Sequence, residues 1–183
     1  GFGQWWGSDS ARLLHCEETA EYAHLAGDAA RAYDNTRAGD IRSPLPVLFT
    51  ECRRDLVFLK PGVVVVFDRL NAVDALMAKT WHLNVLNSPV VDGMSFRASA
   101  GGSTLWGTRL LPEGAFATVA TVQDGDVPSY RIDVTAPVGR QLDHFLTVVQ
   151  ALPDTEPPAE VRAVATGRET LIGVQIGDQS VTF

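Results

Sequence analysis

The spacing of the turn signals limits this chain more than any other feature. From Pro44 onward they recur at short intervals: Lys60-Pro61-Gly62, Ser88-Pro89, Asp92-Gly93, Gly101-Gly102, Asp124-Gly125-Asp126, Gly167 and Gly177-Asp178. Proline pre-sets φ at a corner and glycine tolerates positive φ, so each of these breaks a regular element. The segments between them are rich in β-branched and aromatic residues, and several alternate apolar with polar. Expected strands fall at 45–59, 63–67, 78–86, 90–91, 94–100, 104–111, 115–123, 130–135, 144–151, 161–165, 170–175 and 180–183. A proline-rich loop runs from Pro153 to Pro158. No helical pattern alternates with these strands, which excludes parallel α/β folds. The expectation is an all-β, antiparallel β-sandwich of about 11–13 short strands with little helix, forming one domain over residues 1–183.

The first 40 residues read two ways. Leu13, Leu14, Tyr22, Ala23, Ala26, Ala30 and Tyr33 fit helical spacing. Tyr22, His24 and Ala26 on one face, with Ala23 and Leu25 on the other, fit an extended strand.

Composition removes several function classes. A chain of 183 residues with 45% hydrophobic and 20% charged side chains can bury a real core. Fifteen Lys+Arg against 22 Asp+Glu give a net charge of −7, unfavourable for broad binding to nucleic acid or anionic membrane. The longest apolar run, 63–67, is far short of the ~20 residues that span a bilayer. There is no basic n-region, no apolar h-region and no initiator Met, so the chain is expected to begin after processing or to be a piece of something longer. Cys16 and Cys52 allow one disulfide or two unpaired thiols, and both readings stay open.

Few residues carry chemistry. Gly1-Phe2-Gly3 lacks the third glycine and the helix of a dinucleotide loop. No Gly-x-Ser-x-Gly elbow is present. His15, His24, His82 and His144 show no metal-ligand spacing. His82 and Asn84 project together from the strand face opposite Trp81, which suits a ligand-facing surface or, more plainly, a solvated sheet face. Tyr22, His24 and Tyr33 are acid–base-capable, with edge packing as the alternative. Arg53 and Arg54 point to opposite faces of one strand. Either can fork onto a carboxylate of a ligand, or onto Asp55 or Asp68 as a structural ion pair. Trp5 and Trp6 suit sugar stacking or packing on a neighbour.

The order of short phrases resembles the C-terminal β-sheet domain of heparinase II/III-like polysaccharide lyases. They are Gly1-Phe2-Gly3-Gln4; Tyr22-Ala23-His24-Leu25-Ala26-Gly27-Asp28 with Ala32-Tyr33; Arg53-Arg54-Asp55-Leu56-Val57-Phe58-Leu59-Lys60-Pro61; and Val64-Val65-Val66-Phe67-Asp68-Arg69. Lys79-Thr80-Trp81-His82-Leu83-Asn84, Leu105-Trp106-Gly107 through Leu110-Leu111-Pro112, Tyr130-Arg131-Ile132-Asp133-Val134 and Asp143-His144-Phe145-Leu146-Thr147-Val148 complete them. The resemblance covers nearly the whole chain. It implies a β-sandwich that packs on an N-terminal α/α-toroid, lines part of a substrate cleft and takes part in β-elimination of uronate-containing polysaccharide. It favours the extended reading of 22–28.

The resemblance also implies a C-terminal fragment, because the helical catalytic half would precede Gly1. A structural zinc found in the family would have its ligands there too, so no metal or cofactor is expected in this chain. His82, Asn84, Tyr22 and His24 are the expected cleft wall. Arg69 is expected to be structural. Phe2, Trp5 and Trp6 are expected to form an apolar patch toward the missing helical domain. A periplasmic or secreted location is implied by the family alone. The competing function is a non-catalytic carbohydrate-binding or scaffold module, since a β-sandwich does not decide activity. A complete small lyase acting alone is a third reading.

Overall fold

The computed structural model describes residues 11–33, 47–124, 127–165 and 172–183. Fourteen strands and one short 3₁₀ turn, Ala30–Tyr33, make up its regular structure. In chain order the strands are β1 (Arg12–Glu18), β2 (Tyr22–Asp28), β3 (Phe49–Leu59), β4 (Val63–Ala72), β5 (Thr80–Val85), β6 (Val90–Asp92) and β7 (Ser95–Ala100). They continue with β8 (Ser103–Leu111), β9 (Phe116–Asp124), β10 (Val127–Thr135), β11 (Leu142–Pro153), β12 (Val161–Ala165), β13 (Ile172–Ile176) and β14 (Gln179–Thr182). All pair antiparallel. An eight-stranded sheet has the order β1-β2-β3-β4-β11-β8-β7-β6, and two three-stranded sheets have the orders β5-β10-β9 and β12-β13-β14.

The strand alternation explains how these sheets stack. On β11, Leu146 and Val148 enter one apolar cluster, while Phe145 and Val149 enter another. On β4, Val65 and Phe67 belong to the first and Leu70 to the second. Neighbouring residues of a strand face opposite ways, so the two clusters lie on opposite faces of the large sheet. Val174 and Ile176 of β13 close the first face, while Trp81 of β5 with Ile132 and Val134 of β10 closes the second. Sandwich packing thus occurs twice, with the large sheet as the shared middle layer. On the second face Phe96 lies directly over its cross-strand partner Gly107, where a Cβ would come within 1.9 Å of the ring.

The all-β expectation holds, and the extended reading of 22–28 is the observed one. The strand number exceeds the expected range by one, because β1 had no alternation to reveal it: all seven of its residues are exposed. Among the described residues, the helical alternative survives only as the 3₁₀ turn. Strand β4 runs five residues past Phe67, through Asp68, because Arg54 neutralises that buried carboxylate from the neighbouring strand. Cys16 and Cys52 are free thiols. The Phe2, Trp5 and Trp6 patch and the Gly1-Phe2-Gly3-Gln4 phrase lie outside the described residues. Among the described residues, no helix is long and apolar enough to cross a membrane.

Candidate functional site

Arg53 and Asp55 are two apart on β3, so both side chains leave the same face. Arg53 grips Asp55 with two bonds, Nε to Oδ2 at 2.8 Å and Nη2 to Oδ1 at 3.0 Å. His24 reaches the same carboxylate diagonally from β2, with its Nε2 3.0 Å from Oδ1. The residue directly opposite Asp55 is Ala26, whose small side chain leaves room for that diagonal. Asp55 is 3% exposed. Burial pushes its pKa up, but the bonds from Arg53 and His24 outweigh burial and hold it below the ordinary carboxylate value. An ionised carboxylate only accepts, so Nε2 of His24 carries a proton toward Asp55, and Nδ1 is the ring nitrogen outside that bond.

Strand β1 brings two more groups to this face. Glu17 stands opposite His24 in the register, and His15 lies 3.4 Å from Glu17. The rings of His15 and His24 are 4.8 Å apart. The Glu17 carboxylate raises the pKa of the Tyr22 phenol, with burial and Glu21 adding to the effect. Tyr22 therefore keeps its proton at neutral pH, and its hydroxyl is engaged with Glu17.

The other face of β3 is structural. Arg54 forks onto Asp68 at 2.6 and 2.7 Å. Burial still raises the Asp68 pKa, and Arg54 offsets it only in part. Tyr33 belongs to this side: its pKa is raised by burial and it interacts with Cys52, Arg54 and Asp68. Its ring packs against Phe49 at 5.3 Å. The expected Tyr22, His24 and Tyr33 group is thus split by the sheet. Arg69 lies instead on the His24 face, opposite Arg53, and pairs with Glu51 at 3.4 Å.

His82 and Asn84 are exposed on β5, on the face opposite buried Trp81, as the alternation requires. His82 Nδ1 is 2.7 Å from Oδ1 of Asp133, its direct partner on β10. Arg131 forks onto the same carboxylate at 2.6 and 3.0 Å. The Arg131 bonds, with help from His82 and against burial, hold the Asp133 pKa low. The chain has therefore built the same Arg-x-Asp clamp on a histidine twice. The two differ in setting: the side chain of His82 is 50% exposed and that of Asp133 15%, against 25% for His24 and 4% for Asp55.

The four expected cleft residues do not converge. Tyr22 and His24 lie on the large-sheet face that β13 packs against. His82 and Asn84 lie on the outer face of a small sheet covering the opposite side. Two layers of strands separate them. Asp55, Asp133, His15 and Glu17 were not singled out as site residues. The two Arg-x-Asp phrases were a usable signal, because a spacing of two puts both groups on one strand face. Among the described residues, no group of three His, Cys, Asp or Glu side chains can hold a metal ion.

No protein-family model matches the chain, and no curated protein sequence matches it. Solved structures do match. A heparinase III gene product superposes on 94% of this chain with a TM-score of 0.70 at 13% identity. The heparan sulfate lyase HepC from Pedobacter heparinus also covers 94%, with a TM-score of 0.69 at 14% identity. A further heparinase III structure covers 95% with a TM-score of 0.61. The chain spans 27% of the length of each of these proteins. It shares its fold with that part of them.

Proposed function

We propose that this chain is the β-sheet portion of a polysaccharide lyase. It would pack on a helical toroid domain, in the periplasm or outside the cell, and its β1–β3 face would line the cleft. The observation that carries this reading is His24, a partly exposed imidazole oriented by a buried, ionised Asp55 that Arg53 holds in place. The shared fold with lyases supports it.

β-Elimination on a uronate breaks the C–H bond next to the carboxylate and the C–O bond to the leaving sugar, and forms a C=C bond. A base takes the proton, a cation or hydrogen-bond donor offsets charge on the carboxylate, and an acid protonates the leaving oxygen. In this reading Nδ1 of His24 accepts a proton and Tyr22 is the donor. Arg53 supplies local positive charge, which a chain of net charge −7 needs in order to hold a polyanion. His82 and Asn84 have no part in proton transfer here.

The test is ultraviolet absorbance of the unsaturated product from a panel of uronate polysaccharides. It would be run on this chain and on a version extended upstream of Gly1. Turnover only in the extended protein, lost roughly 10²–10⁴-fold in His24→Ala with the fold intact by circular dichroism, is the expected result. Turnover by this chain alone would make it a self-contained lyase. Silence from both would overturn the proposal in favour of a binding or scaffold module.

A further inference from the structure

A cavity of about 440 Å³ lies at the other end of the large sheet, lined by Ser88, Arg97, Ser99, Thr104, Trp106 and Asp154. That volume is within the range of small-ligand sites. It opens on the same face of the sheet as His24. Leu105 points into the second cluster, so Thr104 and Trp106 face the first side, and Trp106 shares its partner Gln150 with Val63. Strands β12–β14 pack on that face between the two places. The cavity is thus a separate site.

Its lining is chemically ordered. Register places Arg97 opposite Trp106 and Ser99 opposite Thr104. The Arg97 guanidinium lies over the Trp106 ring, 5.7 Å from its centre. That contact uses the face of the cation and leaves its N–H edge free for an anion. Among the described residues Arg97 is paired with no carboxylate. Thr104 donates to Asp154 Oδ1 at 2.6 Å, so the 2.7 Å contact with Ser99 must be donated by Ser99. This chain fixes Asp154 with Oδ2 free to accept. The indole Nε1 of Trp106 is shielded from water and meets no acceptor.

We propose that this cavity is a binding subsite for one anionic sugar residue of a polysaccharide, apart from the proton-transfer groups around His24. Arg97 takes the carboxylate or sulfate, the sugar ring lies along the Arg97–Trp106 stack, and Asp154 and Ser88 take ring hydroxyls. Asp154 would repel a second anion placed near it, which fixes the sense of binding. The proposal needs only that the ligand is an acidic saccharide and does not require that this chain take part in elimination.

The experiment is titration of the protein with a heparan sulfate hexasaccharide, an alginate hexasaccharide and neutral cellohexaose. Affinity is read by calorimetry, and the Trp106 indole resonance by NMR. The expected result is saturable binding of at least one acidic hexasaccharide and none of cellohexaose, with the Trp106 indole signal shifting. Exposed Arg97→Gln should weaken binding roughly tenfold or more, while His24→Ala keeps the Trp106 shift. Binding unchanged in Arg97→Gln, equal binding of cellohexaose, or no binding of either acidic ligand would each overturn the subsite. A lyase that turns over normally yet fails these titrations would lose the subsite and keep its proposed function.

Discussion

Gly107 offers the sharpest test of the packing. A methyl group added there would sit 1.9, 2.2 and 2.4 Å from three ring atoms of Phe96, where ordinary contact begins at 3.4 Å. The ring would have to retreat by about 1.5 Å. It has little room to do so, since Phe96 is 2% exposed and Trp81, its neighbour at 6.3 Å, is itself buried. Overpacking of this kind costs about 1–3 kcal/mol, and the lack of space places Gly107→Ala at the upper end. For a chain of this length about 3 kcal/mol lowers Tm by about 6–12 °C. Phe96→Ala alone should cost about 3–5 kcal/mol through the cavity it opens. In the double variant the new methyl enters the vacated space, so the costs should fall short of their sum by about 2 kcal/mol or more. Urea unfolding of the four proteins measures this directly. A Gly107→Ala protein as stable as the parent, or strictly additive costs, would refute the argument.

Three further outcomes follow from buried groups. Lys79 and Asp143 form an ion pair at 2.9 Å with both side chains almost wholly buried. Lys79→Met should cost about 3–5 kcal/mol in urea unfolding by stranding the carboxylate, and adding Asp143→Leu should recover much of that loss. Burial and the neighbouring Asp68 push the Cys52 thiol up to about 11, whereas Cys16 lies exposed on β1. Iodoacetamide at pH 8 followed by peptide mass spectrometry should therefore find Cys16 modified well before Cys52. Burial, with Arg69, lowers the His144 pKa, Glu51 and Asp143 opposing in part. Below the unfolded value of about 6.5 the unfolded chain binds the proton more readily, so stability should fall as pH drops from there toward the lowered folded pKa. Thermal melts across that window should show a flatter slope in His144→Gln.

The sheet architecture was largely legible because turn residues and strand alternation are local signals. Trp81 inward with His82 and Asn84 outward followed from period two alone. Strand β1 was not legible, since Leu13 and Leu14 are adjacent, exposed apolar residues on an edge strand with no buried face. The bidentate pairs of Arg53 and Arg54 were readable as alternatives. That Asp55 serves His24 was not, because it depends on the register of β2 against β3. The layering was hidden for the same reason. Nothing local tells Trp81 and Val174 that they cover opposite faces of one sheet.

The position of β11 has a consequence in time. It sits between β4 and β8, pairing Leu146 with Phe67 on one side and Val149 with Gly107 on the other. Strands β1 to β4 pair as successive neighbours, as do β6 to β8, so each group can assemble from short-range contacts. The seam cannot, because about 70 residues separate Ala72 from Leu142 and carry six strands, β5 to β10, with them. Until β11 arrives, a nascent molecule presents β4 and β8 as two raw, strongly apolar edges. Those edges are where one chain would capture the strand of another.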